Sequence, residues 1–316
     1  MACGAAAPPA PPRYLSAREL GTAESARFPA GDSFVAAHVY RPTDVGSGQL
    51  PAVVVGGSLT AVKEQMGGIY AAELARRGFL ALSIDYRNYG ASGGQVRQFE
   101  DPESKSADLS AALDYLGGRD DVASERLGLL GICTSGGTVL YTAAADPRVR
   151  AVASVAGHLA EPEITPSLYG GADGVAARQA AARAAAQRYR QTGENQTILA
   201  YHDQDQSASH PGPNEYYMDT GRGGGVSQWR NEFAVMSWEP WLAFDPVSKA
   251  AAVTAPALVV HSDDCALPDQ ARKTYDLLAG PKNLHWTEGP HFEFYDGTGK
   301  VAEAVDIVAE HFARSL

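Results

Sequence analysis

The chain has 316 residues, 45% of them hydrophobic and 20% charged, the balance of a globular protein holding one α/β domain with an insertion or two smaller domains. Its formal net charge of −11 disfavours nucleic acid and anionic lipid surfaces as partners. No run approaches the roughly 18 consecutive apolar residues of a membrane span.

The opening Met1-Ala-Cys-Gly-Ala-Ala-Ala-Pro-Pro-Ala-Pro-Pro12 has neither a basic stretch nor an apolar core, so residues 1–28 are expected to be a partly disordered leader rather than a secretory signal. A core is then expected over 29–157, resuming at 246–316, with a cap inserted at 158–245. Phe34-Val-Ala-Ala-His-Val-Tyr40 reads as an early strand of a hairpin region, closed by Pro42. Pro51-Ala-Val-Val-Val55, ahead of Gly56-Gly57, is a short continuous apolar run, the mark of a buried parallel strand. A helix follows over about 65–77, stopped by Gly78, and Phe79–Ile84 is the next buried strand. It ends in the turn Asp85-Tyr-Arg-Asn-Tyr-Gly-Ala-Ser-Gly-Gly94. A helix over about 105–116, the strand before Cys133, an Ala-rich helix to Ala145 and the strand Val149–Val155 continue the alternation. Such a rhythm implies a mostly parallel twisted sheet covered by helices on both faces.

The stretch 158–245 breaks that rhythm. It holds an Ala/Arg-rich helix from Val175 to Tyr189, the histidines His202 and His210, and many aromatics. Insertions of this kind cover a site and select its substrate. Tyr217, Trp229 and Trp238 within it, and Tyr86 in the turn before it, are the expected substrate contacts; about half of the cap aromatics should serve only to pack it. Pro256–His261 is the next core strand, followed by a helix over 268–278, a short strand over 283–286 and a closing helix over 301–315.

The most informative stretch is Leu127-Gly-Leu-Leu-Gly-Ile-Cys133-Thr-Ser-Gly-Gly137. A strand, a sharp turn flanked by small residues and a helix make a nucleophile elbow, in which the nucleophile sits in a tight backbone conformation. Gly131 sets a register with Cys133 as nucleophile. The alternative, two residues later, makes Ser135 the nucleophile with Gly137 behind it. A thiol needs a base, and the base needs an orienting acid. The order nucleophile, acid, histidine selects Cys133, then Asp263 or Asp264, then His291, with Asp263 preferred. The backbone N–H of Thr134 and one from the Gly56–Leu59 loop, with Ser58 favoured, should receive the oxyanion. Beside an imidazole and at a helix N-terminus, the thiol is expected to titrate below its free value of about 8.5. The three cysteines, Cys3, Cys133 and Cys265, are too scattered for a disulfide framework or a zinc site. No metal or other cofactor is expected, and a reducing, cytoplasmic setting suits a working thiol.

These motifs resemble the dienelactone-hydrolase-like branch of the α/β-hydrolase superfamily and its relatives in polyketide and other natural-product pathways. The resemblance rests on Gly56-Gly57 with Val62-Lys-Glu-Gln65, the 85–94 turn, the elbow, His261-Ser-Asp263 and Phe292-Glu-Phe-Tyr-Asp296, and covers nearly everything after about residue 30. It implies a Cys-Asp-His triad that maps onto Cys133, Asp263 and His291. Ser135 replaces the usual elbow glycine, and the cap is larger than in dienelactone hydrolase, so the substrate is not inherited. The expected reaction is hydrolysis of an ester, lactone or thioester, from a small-molecule or carrier-bound acyl substrate. The alternatives are acyl transfer or cyclisation by the same residues, and a non-catalytic binding protein on the same scaffold. A homodimer is left open.

Overall fold

The computed structural model describes residues 13–43, 46 and 48–316. Of the expected leader, residues 1–12, with Cys3, lie outside the described residues. The remainder is built into the fold: Tyr14 bridges to Gly297, and Ala17–Leu20 forms a helical turn. The first strand, β1 (Glu24–Ala30), starts five residues before the core was expected to, at 24 rather than 29. It pairs antiparallel with β2 (Ser33–Tyr40) through the two-residue loop Gly31-Asp32, where Gly31 takes the positive φ of 56° that such hairpins require.

From there the chain builds β3 (Leu50–Gly56), β4 (Leu80–Asp85), β5 (Val122–Ile132), β6 (Val149–Val155), β7 (Ala257–Ser262) and β8 (Lys282–Thr287). They form one eight-stranded sheet in the order β1-β2-β4-β3-β5-β6-β7-β8, parallel from β4 onward. The crossover helices are α1 (Met66–Ala75), α2 (Pro102–Gly117), α3 (Thr134–Ala145) and, between β7 and β8, α4 (Pro268–Leu277); α5 (Thr298–Ser315) closes the chain. Pro at the first position of α2 and α4 suits helix starts, since its missing N–H would have no partner there.

Both faces of the central strands are covered, which explains their unbroken apolar runs. Val53 and Val55 of β3 join one core with Leu130 and Ile132 of β5; Ala52 and Val54 join the opposite core with Leu127 and Leu129. The chain leaves β3 toward β4 on one side and later adds β5 on the other. The crevice beyond the carboxyl ends of β3 and β5 is therefore the topological switch point where open α/β sheets bind ligands.

Between β6 and β7 lie a 22-residue helix (Gly171–Thr192), two-residue strands at Thr197–Ile198, Tyr201–His202, His210–Pro211 and Phe233–Ala234, and short helices at Glu215–Met218 and Trp238–Leu242. Among the described residues no helix is long and apolar enough to cross a membrane.

Candidate functional site

The elbow forms because small residues let two backbones touch. A Cβ at Gly131 would overlap the Ser135 carbonyl, and one at Gly136 would lie 2.5 Å from Ser154 Oγ and 2.8 Å from the Gly157 Cα. Cys133 caps α3 at φ 54° and ψ −117°, a region costing about 1–3 kcal/mol for a residue with a side chain. Its N–H donates to Val155 O at 3.1 Å, and its carbonyl accepts from Gly136 at 2.8 Å and His158 at 2.8 Å. The strain is thus held by the β6 edge and the first turn of α3.

Cys133 opens into a cavity of about 150 Å³ shared with Leu59, Thr134, Tyr201, Tyr217, Trp241, His158, His210 and His291. Asn214, Ala266, Phe292 and Tyr295 complete the wall, which contains no carboxylate, lysine or arginine among the described residues. Ser135 points elsewhere. Its hydroxyl is fully buried, donates to Gly57 O and sits 2.7 Å from the Tyr86 hydroxyl, so it ties α3 to the β3 loop. The thiol of Cys133, not the Ser135 hydroxyl, faces the cavity.

His291 reaches the cavity from the loop after β8. Its Nδ1 accepts from Ala266 N–H at 3.3 Å, and its Nε2 lies 3.1 Å from the Tyr295 hydroxyl, one helical turn ahead. With a donor on Nδ1, the neutral ring carries its proton on Nε2 and donates to Tyr295. The Tyr295 hydroxyl in turn faces the Cys133 thiol, and the Thr134 hydroxyl lies 3.8 Å from its sulfur. Neither ring nitrogen meets a carboxylate.

Asp263, expected to orient His291, instead pairs with Arg272 at 2.5 Å, its side chain 70% exposed. Asp264 is exposed as well. The β7–α4 loop turns both outward and leaves the Ala266 backbone over the imidazole. Neither aspartate caps α4, which begins without a side-chain cap. Asp263→Asn is therefore expected to change kcat/KM by less than about threefold, with a stability cost under about 1 kcal/mol, as for other exposed pairs. A rate loss on the order of 10⁴ would put the carboxylate back on the histidine.

Burial pushes the Cys133 thiol up, more than the Tyr295 and Thr134 hydrogen bonds pull it down. That reverses the lowered thiol expected from a helix N-terminus and an adjacent imidazolium. The imidazolium is missing: burial, aided by His261 and His158, brings His291 down to about 3. Burial holds His158 at about 4 and, with repulsion from His158 and Arg178, His210 at about 3. Burial also takes Cys265 to about 11, beside Ser262 at 3.2 Å.

Of the other expected contacts, Tyr217 lines the cavity, stacked on Tyr201 at 3.8 Å with its hydroxyl on Ser58. That bond holds the fully buried Ser58 behind the wall, and the next residue, Leu59, reaches the cavity instead. Trp229 stacks on Tyr217 at 5.3 Å and donates to Thr60 at 3.2 Å, in a second layer. Trp238 packs against Phe233 and Tyr169, and Tyr86 is buried on Ser135, so neither reaches the cavity. Sequence reasoning missed Tyr295, His158, His210 and Trp241. Tyr295 had a signal, four residues after His291; the others follow only from how the 156–256 segment folds back.

The family described as X-Pro dipeptidyl-peptidase (S15 family) matches residues 31–293. An uncharacterized Pseudomonas aeruginosa protein, PA2218, is 45% identical over 118 residues, 37% of this chain and 32% of that protein. The chain thus spans about a third of that relative in the matched sequence. The crystal structure of PA2218 superposes with a TM-score of 0.81 at 25% identity, covering 98% of this chain and 96% of the other. Acyltransferase drtE of Aspergillus calidoustus is 27% identical over 255 residues, 76% of this chain and 78% of that protein. A dienelactone hydrolase from Anabaena variabilis shares the fold, with a TM-score of 0.57 at 15% identity over 93% of this chain and 98% of the other.

Proposed function

Because the chain belongs to the X-Pro dipeptidyl-peptidase (S15) family and has the α/β-hydrolase fold, we propose that this enzyme cleaves an uncharged ester, lactone or thioester through an acyl-cysteine on Cys133. The observation that carries the reading is Cys133 at the strained elbow, its thiol facing the cavity with Tyr295 and His291 behind it. A strained residue at a switch point is where α/β sheets place a nucleophile.

The His291 Nε2–H and the Tyr295 O–H form a chain of donors running toward sulfur, an arrangement that stabilises a thiolate. The thiol first loses its proton to solvent. The thiolate attacks the acyl carbon, a C–S bond forms, and the bond to the leaving oxygen or sulfur breaks. The leaving anion takes a proton from the Tyr295–His291 chain, which refills from solvent. The Thr134 N–H at the start of α3, with an N–H of the Ser58–Leu59 turn, is assigned to the oxyanion. Water then attacks the thioester, releasing the carboxylic acid and restoring the thiol. An alcohol or amine in place of water makes the same residues an acyltransferase, a second reading favoured by the likeness to drtE. A reducing, cytoplasmic location belongs to this proposal because the nucleophile is a free thiol.

The test is mass spectrometry after brief incubation with the N-acetylcysteamine thioester of benzoic acid. One benzoyl group on Cys133 is expected, with benzoic acid as product; a benzamide formed from an added amine would favour transfer. An unmodified protein with turnover intact would overturn the acyl-cysteine.

The pH dependence follows from the two neutral groups. The thiol's folded value lies above its free one and His291 charges only near pH 3, so no thiolate–imidazolium pair stands at rest at neutral pH. Iodoacetamide should alkylate Cys133 more slowly than free cysteine at pH 7. The rate should rise about tenfold per pH unit through the free thiol range, with no step near the ordinary histidine value. Tyr295→Phe should move the midpoint further up by removing a donor to sulfur. A plateau already reached at pH 6 would mean a preformed ion pair.

A further inference from the structure

His210 is held in the wall by contacts that leave one nitrogen unused. Ser209, buried beside it, donates its hydroxyl to Ala200 O at 2.9 Å and lies 3.0 Å from His210 Nδ1. A hydroxyl has one hydrogen, so both contacts are satisfied only when Nδ1–H donates to Ser209 Oγ. That tautomer puts a lone pair on Nε2, which has no hydrogen-bond partner among the described residues. The ring is fixed by aromatic neighbours: edge-on to Trp241 at 5.6 Å and Tyr169 at 6.5 Å, tilted on Tyr201 at 5.7 Å. His158, stacked on the same Trp241 at 5.3 Å, adds no charge beside it.

We propose that His210 Nε2 is a hydrogen-bond acceptor for a hydroxyl on the substrate's acyl portion, and that the cavity takes an uncharged, single-ring hydroxyaryl acyl group. The proposal rests on the cavity at Cys133 being the substrate site. A space of about 150 Å³ holds one benzene-sized ring. The Tyr201, Tyr217 and Trp241 rings in the wall match a flat ligand, and a cavity without charged side chains neither pairs with a carboxylate or ammonium nor compensates its lost hydration. In such surroundings an imidazole lone pair favours a ligand that brings a donor, and a phenolic hydroxyl brings one without charge. With its proton on Nδ1 and its ring neutral down to about pH 3, His210 presents this acceptor throughout the working range.

The experiment is isothermal titration calorimetry of the wild-type full chain with benzamide, 3-hydroxybenzamide and 4-hydroxybenzamide, neutral and unreactive analogues of the acyl group. One hydroxylated amide should bind about tenfold more tightly than benzamide, the strength of one good hydrogen bond in a dry site. In His210→Phe the ratio should fall to within about twofold. Ser209→Ala, which keeps the ring but frees its tautomer, should lower the ratio and serves as a second variant should the first fold poorly. Equal binding of all three amides by the wild type, binding of none, or a preference that survives His210→Phe would overturn the proposal. Turnover plays no part in this readout, so failure of the acyl-cysteine reading leaves the binding ratio interpretable by itself.

Discussion

Cys133→Ala is expected to lower turnover by a factor on the order of 10³ or more, while Ser135→Ala keeps most of it and loses stability instead. The two residues sit two positions apart at the same elbow, and their surroundings assign opposite roles. The Cys133 thiol faces the cavity and the Tyr295 hydroxyl. The Ser135 hydroxyl is spent on Gly57 O and Tyr86, with no exposure. Its removal strands the buried Tyr86 hydroxyl, costing about 1–3 kcal/mol, which urea unfolding would register as a lower midpoint at unchanged slope. Cys133→Ser should also be poor. A serine hydroxyl needs a base to take its proton, and His291 points a donor, not a lone pair, along the Tyr295 chain. Loss of turnover in Ser135→Ala with a fully active Cys133→Ala would move the nucleophile by two residues.

The sheet was legible in the sequence because its strands are buried on both faces. Val149–Val155 is observed with the bounds the apolar run gave it, and Pro51–Val55 is extended by one residue at each end. The elbow was legible because Gly131 and Gly136 leave room for a turn that no larger residue permits. What could not be read was which way loop side chains face. Asp263 and Asp264 sit where an acid belongs in the chain order, yet Arg272, nine residues on along α4, draws Asp263 into solvent. Adjacent positions in a loop differ in direction by amounts that composition does not encode. The insertion was harder still. Its strands are two residues long, too short for any period to emerge, so the placing of His210 and Trp241 on the cavity depends on contacts far apart in sequence. The thiol's acidity was misjudged for a related reason: burial of both partners outweighs the helix N-terminus, and burial is a property of the fold.

The second large effect is expected where the insertion grips the catalytic candidates. Arg222 of the insertion binds Asp296 with Nη2 at 2.6 Å and Nε at 3.0 Å, donates to Phe292 O at 3.0 Å and lies over the Tyr14 ring at 3.9 Å. Asp296 follows Tyr295 directly, and Phe292 follows His291, so one guanidinium fixes both ends of the short helix Glu293–Asp296. Both charges are almost wholly enclosed, with side-chain exposures of 3% and 2%. Replacing one partner leaves the other buried and unpaired, so Asp296→Ala should destabilise the protein by about 3–5 kcal/mol in urea unfolding. Replacing both, in Arg222→Met with Asp296→Leu, should recover much of that stability, because no bare charge remains. Catalysis should not recover in parallel: Phe292 O has lost its donor, and the His291–Tyr295 pair is no longer held at the thiol. A double variant that regains both stability and kcat/KM would reduce the ion pair to a packing element. A single variant costing under about 1 kcal/mol would show that the pair is solvated like an ordinary surface bridge, and that the insertion holds the helix by its aromatic contacts alone.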